Sequence, residues 1–450
     1  MRAKRTVQSS IFEHYAEHEI GKELKAMSDW LDTHLELLDW VAADVKQRQV
    51  QATGRKGLTI ESLLRCAILK QYRQLSYEEL VFCLLDSTSC QTFARLSPGW
   101  FPKKAALQSG ISAISDVTWE EINQRLLRSA HKAKVERGEM LRIDSTVTDS
   151  PIHEPGDSTL LWDSVRVLVR LLERAQELAE GVTQIEYHNH LRLAKKRARA
   201  IRYSRGQEKK ARLYRELIEA TEKSLSYMEA ASIGLRLVEP SNSVACAMWR
   251  AQWNHYKPLI RQVIGQAERR IFQGEKVPAT DKLVSLFEEH TDIIVKGRRD
   301  IQYGHKLNLS TGRSGLILDV VIEQGNPADA DRFLPMLDRH IEHYGKAPRQ
   351  MAADGGYASM ENLRQAKALK VEDVVFHKKR GLKVEEMAKS AWVYRKLRNF
   401  RAGIEAGISC MKRAYGLGRC TWKGLKHFKA YVWSSVVAHN LALFGRLLST

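Results

Sequence analysis

The sequence predicts an α/β protein: a mixed-sheet core that follows an all-α region and is interrupted by a long helical insertion. Three observations carry this. Two short apolar runs, Met140 to Ile143 and Met351 to Ala353, each end in an aspartate, Asp144 and Asp354. Between them, 303 to 323 has the alternation and glycine turn of a hairpin. The residues before 136, and again from Leu160 to about Gln273, keep a helical period. A chain of 450 residues with 44% hydrophobic content exceeds one core, so two or three domains are expected.

In the N-terminal region, Phe12, Tyr15, Leu24, Met27, Leu31, Leu35, Leu38, Val41 and Val45 follow the three-to-four spacing of amphipathic helix. Thr59 and Ser76 read as N-caps, and Ser76 to Glu79 and Thr118 to Glu121 fit the capping box. Residues 1–136 are therefore expected to form an α-helical N-terminal domain. Short successive helices on a basic chain suit a helix-turn-helix-like DNA reader, and equally a packing or dimerisation unit.

Residues 139–148 switch to a strand pattern, and helical stretches follow at Ser164 to Glu180 and Ile185 to Ala231. These make residues 158–285 a helical insertion domain. Strand character returns at Tyr303 to Ser310, turns through Thr311 to Gly315 and comes back along Leu316 to Glu323, a hairpin expected to pair beside the Asp144 strand. A helix over Pro327 to Tyr344, a buried strand at Gln350 to Ala353, a helix over Ser359 to Lys370, a strand at Asp373 to His377 and a final helix complete the series. Three antiparallel strands followed by helix, strand, helix, strand and helix is the order of an RNase H-like core, here residues 137–157 and 286–450.

The formal charge of +19 favours a polyanionic partner, nucleic acid above all. The most apolar segment, 430–448, is broken by His439, Asn440 and Arg446, so it reads as a buried C-terminal helix and no membrane partner is expected. The first residues have no apolar stretch of the secretory kind, and a cytoplasmic protein is expected. Cys66, Cys83, Cys90, Cys246, Cys410 and Cys420 are scattered without a C-x-x-C pair, which speaks against a zinc knuckle and a disulfide framework.

In the predicted sheet, the strands ending at Asp144 and Asp354 are parallel neighbours, so the two acids can share a cation. Gly355 and Gly356 after Asp354 would permit a turn and the close approach of a bulky backbone ligand. Hard divalent cations take oxygen ligands, and two or three carboxylates suffice for phosphoryl transfer. The third candidate is Glu405. At about 100° per residue, Arg398, Arg401, Glu405 and Lys412 share a narrow arc of one helix beside an apolar arc of Leu397, Ile404, Ile408, Met411 and Tyr415. Glu405 is one of 3 acids among 15 Lys/Arg between Phe376 and Lys429, and its other reading is a salt bridge to Arg401 four residues earlier.

A second basic run, Ile185 to Arg215, carries 11 Lys/Arg against 2 Glu with tyrosines interleaved. Lys195, Lys196, Arg197 and Arg199 are candidates for DNA phosphates; a solvated face without a partner is the alternative. Trp249 and Trp253, four apart, read as core of the insertion. His305 is read as an outer neighbour of the acids, and Asp149, Asp157 and Asp163 as turn formers or N-caps.

These motifs resemble the bacterial insertion-sequence DDE transposases, whose third acid sits in a Tyr-x2-Arg-x3-Glu-x6-Lys signature. Arg401, Glu405 and Lys412 match three of its four positions, Arg398 stands where the Tyr would be, and the contexts Ile-Asp144-Ser-Thr and Ala-Asp354-Gly-Gly-Tyr are similar to that group. The resemblance spans roughly 139–157 and 290–445, and the long insertion places the chain nearest the ISNCY kind. It implies a DNA transposase with Asp144, Asp354 and Glu405 as catalytic and metal ligands for two Mg²⁺ ions, or Mn²⁺ in their place. It also implies 3′-end cleavage followed by strand transfer, with Arg398, Arg401 and Lys412 on DNA phosphate. The partners it implies are double-stranded DNA, as terminal inverted repeats and target, and a second subunit in a synaptic homodimer on the bacterial nucleoid. Two other readings stay open: an RNase H-like nuclease without strand transfer, and a catalytically silent DNA-binding descendant.

Overall fold

The computed structural model describes Lys4, Tyr15 and residues 17–46, 57–97, 99–237, 243–296 and 300–448. Phe12 and most of the segment read for a secretory signal lie outside the described residues. The chain divides into two compact units, Met1–Pro151 with Ile294–Thr450, and Ile152–Ile293.

The first unit opens with helices α1 (Glu19–Asp32), α2 (Leu37–Lys46), α3 (Ile60–Tyr72), α4 (Tyr77–Asp86), α5 (Thr88–Phe93), α6 (Lys104–Ile111) and α7 (Asp116–Lys132). The amphipathic stretch ending at Val45 is two helices, broken at Thr33, and Leu35 in the break is exposed. Both expected caps are present. Thr59 accepts from the Ser62 N–H at 3.1 Å, and Ser76 and Glu79 form a reciprocal box at 3.1 and 2.7 Å. The third differs: α7 is capped by Ser115, which accepts from the Thr118 N–H at 3.2 Å, so Thr118 lies inside the first turn.

The sheet is built from β1 (Met140–Asp149), β2 (Asp292–Lys296), β3 (Asp300–Thr311), β4 (Ile317–Ile322), β5 (Gln350–Ala353) and β6 (Asp373–Phe376). Among the described residues its order is β2-β3-β1-β5-β6, with β4 also paired to β3. β1 runs antiparallel to β3 and parallel to β5, and β5 parallel to β6. This is the hairpin and crossover series expected from sequence, plus the short strand β2, which had no alternation to announce it. Between the strands lie α12 (Phe333–Tyr344) and α13 (Met360–Ala368); α14 (Val384–Met387), α15 (Ala391–Ala414) and α16 (Leu425–Leu448) follow. The helix expected from Pro327 begins only at Phe333, because Asp329 is held by Lys306 at 2.6 Å and Arg332 by Glu323 at 3.0 Å, which fixes the preceding residues in a tighter turn.

The C-terminal helix α16 is buried along most of its length and packs on α7, α3 and α1. Its buried Asn440 is satisfied internally: it accepts from the Ile317 N–H at 2.9 Å and donates to Asn123 at 2.7 Å and the Ile317 carbonyl at 2.8 Å. Among the described residues no helix is long and apolar enough to cross a membrane.

The second unit packs α8 (Asp157–Ala179), α9 (Leu191–Tyr203), α10 (Gln207–Gly234) and α11 (Ser243–Ile271) around its own apolar core. The helical run expected from Ile185 to Ala231 is two helices, interrupted where Gly206 takes a positive φ of 94°. Trp249 and Trp253 are buried in this core, with the Trp249 indole donating to the Leu171 carbonyl at 2.8 Å.

Burial pushes two histidines of the first unit, His340 and His439, down to about 4. The unfolded chain takes up a proton on each near pH 6.5 that the folded chain refuses, so their stabilising contribution is complete above about 6.5 and lost as pH falls toward 4. Urea midpoints of wild type and His340→Gln between pH 7.5 and 4.5 check this. The wild type is expected to lose up to about 1.4 kcal/mol per pH unit for each such group, and the variant to show a shallower slope.

Candidate active site

Ile143 of β1 pairs with Ala353 of β5 in parallel register, so the next residue on each strand, Asp144 and Asp354, emerges at the same level. Asp144 is not at a strand end as expected. β1 continues to Asp149 because β3 pairs along its other edge; what ends at Ile143 is the parallel pairing. Asp144 takes its own Ser145 N–H at 2.8 Å, and Asp354 caps a tight turn by accepting from the Gly356 N–H at 3.5 Å.

α15 lies across β1, β5 and β6 through Leu397, Ile404 and Met411, all fully buried. Its neighbouring face carries Arg401 and Glu405. The Arg401 Nη2 sits 2.9 Å from Asp144 Oδ2 and 3.4 Å from Asp354 Oδ1, while Nη1 pairs with Glu405 Oε1. All three acids thus converge on one guanidinium. Side-chain exposure rises from 14% at Asp144 through 37% at Asp354 to 61% at Glu405, so the cluster opens toward solvent on the Glu405 side. Burial raises the Asp144 carboxyl above its ordinary range; Arg401 and the Ser145 N–H counter this, and the other two acids add to it.

Sequence reasoning missed the residues that seat α15. Arg142, two positions before Asp144 on the same strand face, donates to Thr311 Oγ1 at 2.6 Å and to the Phe400 carbonyl at 2.7 Å, and lies over the Phe400 ring. Its signal was an arginine inside an apolar strand. Gly403 makes room for that guanidinium, since a Cβ there would overlap Arg142 Nη1. Gly355 and Gly356 lie in the expected turn, and packing gives a second reason for them. Neither has a positive φ; their added Cβ atoms would lie 2.6 Å from Lys378 Cβ and Asp329 Oδ2 respectively. The buried Tyr357 that follows donates to Asn308 at 2.5 Å and locks this turn against β3.

The other candidates separate. Arg398 is exposed on α15, and Lys412 is half-buried and close enough to Asp149 to oppose the upward push that burial gives its carboxyl. His305 packs its ring on Phe428 at 4.8 Å and sits four residues along β3 from Leu309, the partner of Asp144, so it does not adjoin the acids. Asp149, Asp157 and Asp163 are not caps. Asp149 closes β1, Asp157 in α8 binds Arg270 at 2.6 Å and Gln266 at 3.2 Å, and Asp163 pairs with Arg166 at 2.7 Å.

On α9, Ala194, Ala198 and Ile201 are buried against α8 and α10, leaving Lys195, Lys196 and Arg199 exposed with Arg192 and Arg202. Arg197 turns the other way, half-buried in an ion pair with Glu216 of α10, and does not belong to the exposed basic face.

Among the described residues, no three His, Cys, Asp or Glu side chains are grouped to hold a metal ion directly. At the three acids the reason is that a guanidinium lies between them. The donor set nonetheless fits a hard divalent cation: carboxylate oxygens from two adjacent strands aim at one point, and a third, more exposed acid closes the side.

Fold and site together define a class, a mixed-sheet α/β protein that gathers acids from two parallel strands and a helix at one open edge. Residues 296–441 match the family model for the transposase DDE domain, so this part of the chain is similar to the DDE transposases. The matched span contains Asp354 and Glu405; Asp144 precedes it, on the far side of the insertion in sequence. No curated protein and no solved structure matches the chain.

Proposed function

We propose that the protein is a DNA transposase of the ISNCY kind whose RNase H-like core cleaves 3′ ends of an insertion sequence and joins them to target DNA. The observation that carries this is the convergence of Asp144 with Asp354 and Glu405, the latter two inside the span that matches a transposase DDE domain, on a single cationic position. Divalent cations, two Mg²⁺ or Mn²⁺ ions, supply the charge stabilisation and activated nucleophile of in-line displacement when bound. Asp144 and Asp354 would hold them from the rigid sheet, and Glu405 would complete the set from the exposed side.

The partners follow from charge. Residues 1–136 would read the terminal inverted repeats, and Arg398 and Lys412 would lie along phosphate beside the acids. The exposed face of α9 would take further backbone contacts. Two such chains would hold two ends in a synaptic homodimer on the nucleoid, in the cytoplasm. Retention of all three acids favours this reading over a catalytically silent DNA-binding protein.

Strand transfer distinguishes a transposase from a nuclease. Purified protein, Mg²⁺ and duplexes bearing the inverted repeats that flank the gene are expected to yield joined products; cut ends alone would leave the nuclease. Neutralising Lys195, Lys196 and Arg199 together is expected to reduce the slope of log affinity against log salt by about one unit per lost phosphate contact. Arg197→Ala should instead alter stability with little change of slope. An unchanged slope in the triple variant would return that face of α9 to solvent.

A further inference from the structure

We propose that Arg401 is an internal counter-cation that occupies the position of the divalent ions until DNA enters, and so couples metal binding to DNA binding. This rests on the reading that the three acids hold those ions.

The geometry points to exchange. Mg²⁺ binds carboxylate oxygens at about 2.0–2.1 Å. Arg401 Nη2 already stands 2.9 and 3.4 Å from the Asp144 and Asp354 oxygens that would serve, so an ion and the guanidinium cannot share the place. Arg401 is also one of the most buried charged groups of α15, at 7% exposure. A buried guanidinium needs acceptors, and here the acids provide them.

Comparison with other buried arginines in the same unit sharpens this. Arg65 is held by Glu61, Asp32, the Ser28 hydroxyl and the Phe93 carbonyl, and Arg142 by the Thr311 hydroxyl and the Phe400 carbonyl. Those are fixed acceptors that no ligand would claim. Arg401 differs: its hydrogen bonds go to Asp144 and Glu405, with Asp354 as a further ion-pair partner, and its buried Nε has no hydrogen-bond partner among the described residues. Its anchors are the acids themselves. Once divalent ions take the acids, nothing else described holds the guanidinium in place, and the anionic backbone of DNA is the acceptor that arrives with the ions.

The device also answers an electrostatic need. Three carboxylates facing one another without a cation would repel, and burial of Asp144 makes that costly. Arg401 keeps the cluster assembled before DNA is bound, and its competition keeps free protein from loading metal and cutting in the absence of a correct end.

The test is Mn²⁺ binding, read by the electron paramagnetic resonance of the free ion, for wild type and Arg401→Gln, each with and without a duplex carrying the flanking inverted repeat. Free wild type is expected to bind Mn²⁺ weakly, free Arg401→Gln about tenfold or more tightly, and DNA to tighten wild type far more than the variant. Equal Mn²⁺ affinity in free wild type and free variant, or weaker binding by the variant, would overturn the proposal. If the variant fails to fold, the wild-type pair still decides, since an affinity that DNA leaves unchanged contradicts the coupling. Absence of Mn²⁺ binding in every sample, DNA included, would instead overturn the metal reading of the acids.

Discussion

Asp144→Ala and Asp354→Ala are each expected to slow DNA end cleavage by about 10³-fold or more, since a catalytic cation is worth several kcal/mol of transition-state stabilisation. The geometry explains why neither can substitute for the other. Their oxygens come from two strands in parallel register and meet at one point, 2.9 and 3.4 Å from the same nitrogen. Removing either leaves a single rigid ligand and a third acid that is largely exposed. End binding should change little, because the proposed phosphate contacts are made by cationic side chains and not by these acids. Cleavage rates and gel-shift affinities of the same protein samples check both halves. Glu405→Ala is expected to follow them, and full activity in that variant would remove Glu405 from the set and leave it as a helix salt bridge to Arg401.

Gly304→Ala is expected to destabilise the first unit by about 3 kcal/mol, at the upper end of overpacking effects. Gly304 faces Asp149 across the β1–β3 ladder, and a Cβ there would overlap the Thr148 carbonyl oxygen and lie 2.7 Å from the Asp149 Cα. A side chain can rotate away; these backbone atoms cannot move without opening the ladder. Because β1 also carries Asp144, the loss of pairing would reach the acids. Gly407→Ala is the control, a glycine inside α15 whose added Cβ meets nothing within 4 Å, and it should be neutral or stabilising through helix propensity. Urea midpoints of the two variants test the pair. An unchanged midpoint for Gly304→Ala would contradict the packing described for β1 and β3.

Local pattern made much of this fold legible. The strands at Asp144 and Asp354, the hairpin before Glu323 and the apolar arc of α15 follow from periodicity and glycine turns. What stayed hidden depends on partners distant in sequence. The helix arc offered Arg401 to Glu405 alone, whereas its bond to Asp144 spans 257 positions. Arg197 looked like its basic neighbours because its partner Glu216 lies on another helix. The glycines after Asp354 announced their turn, but not that side chains brought in from 329 and 378 leave no room for a Cβ there. Thr118 fitted a capping box that Ser115, three residues earlier, had already filled. Spacing places a residue on a face; only tertiary contact decides what that face meets.

The central claim, that Asp144, Asp354 and Glu405 together hold divalent cations on DNA, is tested most directly by iron-directed backbone cleavage. Fe²⁺ replaces Mg²⁺ in the protein–DNA complex, and ascorbate with peroxide generates hydroxyl radicals at the bound ion. Chain cuts clustered near residues 144, 354 and 405, suppressed by excess Mg²⁺ and lost in Asp144→Ala, are the predicted result. Cuts elsewhere, or the same cuts in Asp144→Ala, would contradict it.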